Sequence, residues 1–184
     1  MKKKCLAVIL LLTCMCVFGA CGDSNAKKGV SSQGSEESEE KSTDVHVEFE
    51  LPDGFTASDT EGMYFSSNYP EDGSNISMLS AESDSTSLKM DAETLSSAVE
   101  KQYFSQYQFE TDVNCTECSP TKVDGYDALT ARMEYEIQGV AVKQVECVVQ
   151  IGEGTTTITY TQMGDANWMD AFEASMKSIK IVAN

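Results

Sequence analysis

The chain has 184 residues, with 30 acidic against 13 basic side chains, one histidine and a formal charge of −17. A surface this acidic repels DNA, RNA and anionic lipid head groups, which sets nucleic-acid binding aside. An apolar fraction of 41% supports one ordinary domain with a core, and the single histidine, His46, leaves little room for histidine catalysis or a multi-histidine metal site.

Residues 2–4 are all lysine, residues 5–18 form an apolar run, and Gly19, Ala20 and Cys21 follow. The run is shorter than the ~18–20 residues that cross a bilayer core, and its charged start and small-residue end are those of an export signal. Val17-Phe18-Gly19-Ala20-Cys21 resembles a bacterial lipoprotein signal, although Phe18 stands where such signals usually have an aliphatic residue. The resemblance implies cleavage after Ala20 and acylation of Cys21, with palmitate-like chains on the outer face of the bacterial cytoplasmic membrane. Acyl chains contribute ~0.8 kcal/mol per buried CH₂, so lipid alone can hold the protein there. Cleavage removes three lysines and no acid, which carries the formal charge from −17 to −20.

Residues 22–44 contain six serines, six acids and three lysines with almost no apolar side chain. Such a stretch cannot offset its ordering entropy and is expected to be a disordered tether. The organisation read from the sequence is therefore a signal peptide over 1–20, a lipidated cysteine and tether over 21–44, and one domain over 45–184. That domain holds 24 acids and 7 bases, so it carries most of the charge.

From Val45 the pattern changes. Val45, Val47, Phe49 and Leu51 alternate with polar residues as a strand that ends at the turn Pro52-Asp53-Gly54, and residues 63–67 and 75–81 read as two more strands. A helix is predicted from Asp91, which can cap it, with Leu95, Ala98, Val99 and Tyr103 as its apolar stripe. A strand over 109–117 follows, then a turn at Val123-Asp124-Gly125-Tyr126 into a long hairpin. There Leu129, Ala131, Met133, Tyr135 and Ile137 share one face, and Val145, Cys147, Val149 and Ile151 share one face of the return strand. A three-residue loop with Gly139 in a bulge would pair Glu136 with Val140, set Ala131 opposite Val145 and Leu129 opposite Cys147, and so match apolar to apolar. Residues 155–161 form a β-branched strand. A closing helix after Gly164 is expected to be capped by Asp165 or Asn167, with Trp168, Phe172, Met176 and Ile179 on its apolar side. Strands joined by short turns with helices between them predict an α+β class: a mainly antiparallel sheet flanked by helices.

The segments Phe49-Glu50-Leu51-Pro52-Asp53-Gly54-Phe55, Val123-Asp124-Gly125-Tyr126-Asp127-Ala128, Thr157-Ile158-Thr159-Tyr160 and the ending from Phe172 to Ile179 resemble landmarks of the PsbP-like fold. A photosystem II extrinsic protein, a Ran-binding nuclear-transport factor and many small bacterial lipoproteins share that fold. The resemblance implies an antiparallel sheet between helices and a non-catalytic, protein-binding habit, and it supplies no catalytic residues.

Few side chains invite chemistry. With Cys5, Cys14 and Cys16 in the signal and Cys21 acylated, Cys115, Cys118 and Cys147 remain. Cys115-Thr116-Glu117-Cys118 has C-x-x-C spacing, but Ser119-Pro120 and a turn follow it where a thiol-redox site has a helix N-terminus. Strict alternation puts Cys115 and Cys118 on opposite faces and favours Cys115 over Cys118 as the disulfide partner of Cys147. His46 is out of phase with its apolar neighbours and is expected in solvent, Arg132 is expected near Glu134 and Glu146, and Trp168 is expected in the core. Asp53-Gly54 and Asp72-Gly73-Ser74-Asn75 read as turns and lack the ligand spacing of a calcium loop. No metal, cofactor or catalytic site is assigned. The function read from the sequence is a membrane-anchored, non-catalytic domain that binds a protein or envelope component. A thiol-redox protein using Cys115 and Cys118, or a small-ligand or cation-binding module, are the alternatives.

Overall fold

The hairpin after Gly125 organises the chain. In the computed structural model, which describes residues 45–82 and 88–184, it consists of β6 (Tyr126–Ile137) and β7 (Val140–Ile151). The other elements are β1 (Val45–Glu48), β2 (Phe55–Ala57), β3 (Met63–Ser66), β4 (Asn75–Glu82), α1 (Ala92–Tyr107), β5 (Asn114–Val123), β8 (Gly154–Met163), α2 (Met169–Lys177) and β9 (Lys180–Ala183). Seven strands form one antiparallel sheet in the order β2-β3-β4-β8-β7-β6-β5, while β1 and β9 pair antiparallel in a sheet of their own. This is the α+β, mainly antiparallel architecture expected. The expected signal peptide, Cys21 and the expected tether fall outside the described residues.

The hairpin register differs from the expected one. Gln138 and Gly139 both adopt positive φ, 51° and 83°, and form a two-residue turn that pairs Ile137 with Val140. Such a turn matches the right-handed twist of the flanking strands. Glu146 therefore lies opposite Ala131 and Val148 opposite Leu129, whereas Val145 pairs with Arg132 and Cys147 with Thr130. A one-residue change of register moves every side chain to the other face, so the apolar rows of the two strands serve two cores rather than one.

On one side α1 packs Leu95, Val99 and Tyr103 against Ala131, Met133, Tyr135, Ile137 and Val142. Asp91 caps α1 as expected, accepting a hydrogen bond from the Thr94 N–H at 2.8 Å. On the other side α2 packs Phe172 against Ile76, Cys147, Val149, Ile158 and Tyr160, all at 2% exposure or less. Neither Asp165 nor Asn167 caps α2. Gln162, at the end of β8, accepts the backbone N–H groups of Trp168 and Met169 at 2.7 and 3.1 Å.

Some element boundaries differ from those expected. β5 begins at Asn114 rather than 109, because Phe109 instead joins Tyr103 and Tyr107 in an aromatic cluster at the end of α1. The closing helix stops at Lys177, and the residues after it turn to form β9 against β1.

Gly62 has a φ of +73°, and a Cβ there would come within 2.3 Å of the Met78 carbonyl on the neighbouring strand. At Gly139, φ is +83° and no atom lies within 4 Å of such a Cβ. Left-handed backbone costs an L-residue roughly 1–2 kcal/mol. Gly139→Ala should therefore lose about 1 kcal/mol and Gly62→Ala distinctly more, at least about 2 kcal/mol, because β4 must also shift. Urea unfolding of the two variants side by side measures the difference, and equal losses would refute the close approach at Met78.

Candidate functional site

A cleft of about 500 Å³ opens where β7 begins and β8 ends, between the β3–β4 connection and the segment leading into α2. Asn68, Glu71, Asp72, Asp165, Asn167 and Trp168 are among its walls, and no Lys or Arg is among its described lining residues. Trp168 is held from three directions. Its indole N–H donates to the Asp72 carboxylate at 2.7 Å, its backbone N–H donates to Gln162, and its ring meets Phe55 edge-on at 5.0 Å. Gly54 supplies the clearance, since a Cβ there would approach the indole to 3.0 Å.

Asp72 also accepts the Ser74 backbone N–H at 2.9 Å. Burial pushes its carboxyl up, but the hydrogen bonds from Ser74, Trp168 and Ser66 outweigh burial and hold it below the usual aspartate value. The cleft thus combines a fixed aromatic wall with an ionised carboxylate and the acids Glu71 and Asp165. That lining suits a ligand with a cationic or hydrogen-bond-donating head and some apolar surface.

A second polar feature lies inside the sheet on the α1 side. Gln144 and Glu146 of β7, Thr157, Thr159 and Thr161 of β8, and Asn75 and Ser77 of β4 are all buried there in register with one another. Glu146 accepts the Thr159 hydroxyl at 3.2 Å, and burial pushes its carboxyl up to about 7. The Gln144 amide donates to Thr161 at 2.9 Å, while its Oε1 has no partner among the described residues. Tyr103 and Tyr135 close the α1 end of this side with a buried hydroxyl pair at 2.9 Å. The expected three-residue loop had turned Glu146 away from this side, and the signal that would have placed it is the Gln138-Gly139 pair.

The side chains singled out in the sequence are scattered. Cys21 lies outside the described residues. Cys115, Cys118 and Cys147 are free thiols. Cys147 is in the α2-side core and Cys115 and Cys118 pack on the α1 side, so the sheet separates the pair expected to bridge, Cys115 and Cys147. His46 is exposed and hydrogen-bonds Glu48 on its own strand and Asn184 beyond the end of β9. Arg132 does not face Glu146. It reaches Glu117 of β5 and Glu173 of α2, both at 2.9 Å. Trp168 is half-buried at the cleft rather than enclosed in the core. Among the described residues no group of three or more His, Cys, Asp and Glu is arranged to hold a metal ion, and no helix is long and apolar enough to cross a membrane.

Glu146 makes stability depend on pH. Its carboxyl is near 4.5 when unfolded and near 7 when folded, so the folded state holds the extra proton between those values. Its contribution is fully present below about pH 4.5 and is lost as pH rises through about 7, a change of about 3 kcal/mol for this fully buried group. Glu146→Gln should remove that slope and be the more stable protein at pH 8. Denaturant melts of both proteins from pH 4 to 8 test this, and parallel stability curves would rule it out.

Neither a family model nor a curated protein matches the sequence. Solved structures do match. Cyanobacterial PsbP (CyanoP) from Synechocystis sp. PCC 6803 aligns over 83% of this chain and 99% of its own, with 12% identity and a TM-score of 0.56. LpqN of Mycobacterium tuberculosis, described as involved in cell envelope biogenesis, aligns over 79% and 87% with 12% identity and a TM-score of 0.49. At such identity the likeness to CyanoP speaks to architecture, and the chain has a PsbP-like fold.

Proposed function

We propose that the chain is a lipid-anchored extracytoplasmic lipoprotein whose non-catalytic domain binds a protein or cell-envelope component through the Trp168 cleft. The observation that carries this reading is the position of the cleft relative to the point where the chain enters the domain. Val45 and Val47 lie beside Ile151 and Gly154, at one end of β7 and β8, and the cleft lies beside Val140 and Met163, at the other. Paired strands rise about 3.4 Å per residue, so about 30 Å separates these ends. With Cys21 acylated on the outer face of the bacterial cytoplasmic membrane and residues 22–44 as the tether, the cleft is directed away from the lipid. Repulsion between the acidic domain and anionic head groups favours the same orientation.

The lining acids select a partner surface that is positively charged. A photo-crosslinking amino acid at Asn167, in the full chain in its native envelope, tests the cleft. A specific neighbour should be captured, and its yield should fall about ten-fold when Glu71→Lys and Asp165→Lys are combined. No specific neighbour, or a yield unchanged by the charge reversals, would overturn this assignment. Fractionation tests the anchor separately: Cys21→Ala should move the protein from the membrane to the soluble fraction, and retention in the membrane would contradict lipidation.

A further inference from the structure

The C-x-x-C segment sits on a β-bulge. Cys115 pairs with Met133, Glu117 with Arg132 and Cys118 with Ala131, which leaves Thr116 as the extra residue of β5. In an unbroken strand, residues three apart point to opposite faces. Here the extra residue brings Cys115 and Cys118 to the same face, opposite two residues of β6 that both belong to the α1-side core. Met133 and Ala131 are two strand positions apart, about 6.7 Å, and the bulge confines the two cysteines to that span. Disulfides join Cα atoms up to about 6.8 Å apart, so the pair stands at the upper limit of bridging distance.

The surroundings suit a reversible bond. β5 is an edge strand of the seven-stranded sheet, and both cysteines are half-buried rather than enclosed. Each thiol has a local acceptor. Cys115 donates to the Glu117 carbonyl at 3.2 Å and Cys118 to the Met90 carbonyl, just ahead of α1, at 3.3 Å. The two thiols lie near enough to influence one another's ionisation. Cys147 is 2% exposed beneath α2 and is out of reach.

We propose that Cys115 and Cys118 are a thiol-modification site that closes into a reversible intrastrand disulfide when it meets a disulfide oxidant outside the cytoplasm. One cysteine loses its proton to water and attacks a sulfur of the oxidant, forming a mixed disulfide and expelling one thiolate. The second cysteine loses its proton and attacks the protein sulfur of the mixed disulfide, forming the Cys115–Cys118 bond and expelling the second thiolate. Two S–H bonds are oxidised to one S–S bond, and the oxidant's S–S bond is reduced to two thiols. Burial pushes both thiols up, Cys118 to about 11 with the nearby Cys115 and Asp91 adding to it. The thiolate is therefore scarce at neutral pH, which suits slow switching rather than turnover. A bond at the limit of span is strained and readily reduced. Closing it removes the Cys118 donor from Met90 and so frees the backbone that leads into α1.

The test uses the full chain in detergent, folded and equilibrated with glutathione disulfide and glutathione at a series of ratios, then alkylated and digested with trypsin without reduction. Cys115 and Cys118 fall in one peptide, residues 102–122, and Cys147 falls in another. At oxidising ratios the first peptide should be lighter by two hydrogens and carry no alkyl group, while Cys147 is alkylated once the protein is unfolded. Cys118→Ser should instead trap glutathione on Cys115, and Cys147→Ser should leave the oxidised peptide unchanged. Two alkylated cysteines in that peptide at every ratio, a bridge to Cys147, or closure only in unfolded protein would each overturn the assignment.

Discussion

The turn at Gln138 and Gly139 decides which face of the central sheet every residue of β6 and β7 occupies, and both cores depend on it. With this register Cys147 and Val149 meet Phe172 of α2 alongside Ile158 and Tyr160, and Met133, Tyr135 and Ile137 meet α1. Full burial of a large apolar side chain stabilises by about 1.5–3 kcal/mol, so shifting the hairpin by one residue would expose several such contributions at once. The same register carries Gln144 and Glu146 inward, where Thr159 and Thr161 supply only part of the hydrogen bonding that water would give. The apolar rows hold the register and the polar row is carried along with it.

Positive charge is scarce, and several of the described cations join elements. Arg132 ties β5 to α2 through Glu117 and Glu173, Lys180 joins Glu48 across the small sheet, and Lys143 reaches Glu134 across the hairpin. Exposed pairs of this kind contribute at most about 1 kcal/mol each. Their larger effect is on the distribution of potential: the cations are placed elsewhere, and the cleft keeps its acids uncompensated by any Lys or Arg in its described lining. Charge here shapes the surface potential more than it sets how firmly the domain folds.

Much of the fold is legible in local patterns. Alternation marks β1, β6 and β7, a β-branched run marks β8, and Asp91 ahead of an apolar stripe marks α1. The errors share a cause, which is that a distant partner decides the outcome. Matching apolar residues across the hairpin favoured a looser turn because the sequence does not reveal that separate helices cover the two faces. The bulge at Thr116 exists only relative to β6, and β9 is four residues that become a strand because β1 is there to receive them. The cleft was not legible for the same reason. Asp72 and Trp168 are far apart in the chain and meet because β4 pairs with β8, whereas each alone reads as a turn residue or a core aromatic.

The pairing of Val45 with Ala183 brings the start of the described domain next to its last residues. For anyone labelling the protein this is a convenient geometry. A fluorophore or affinity handle appended after Asn184 would sit beside the point where the chain enters the domain, and the far pole, where Trp168 stands, would stay unobstructed. Both ends of the described domain thus lie at one pole, and the cleft lies at the other.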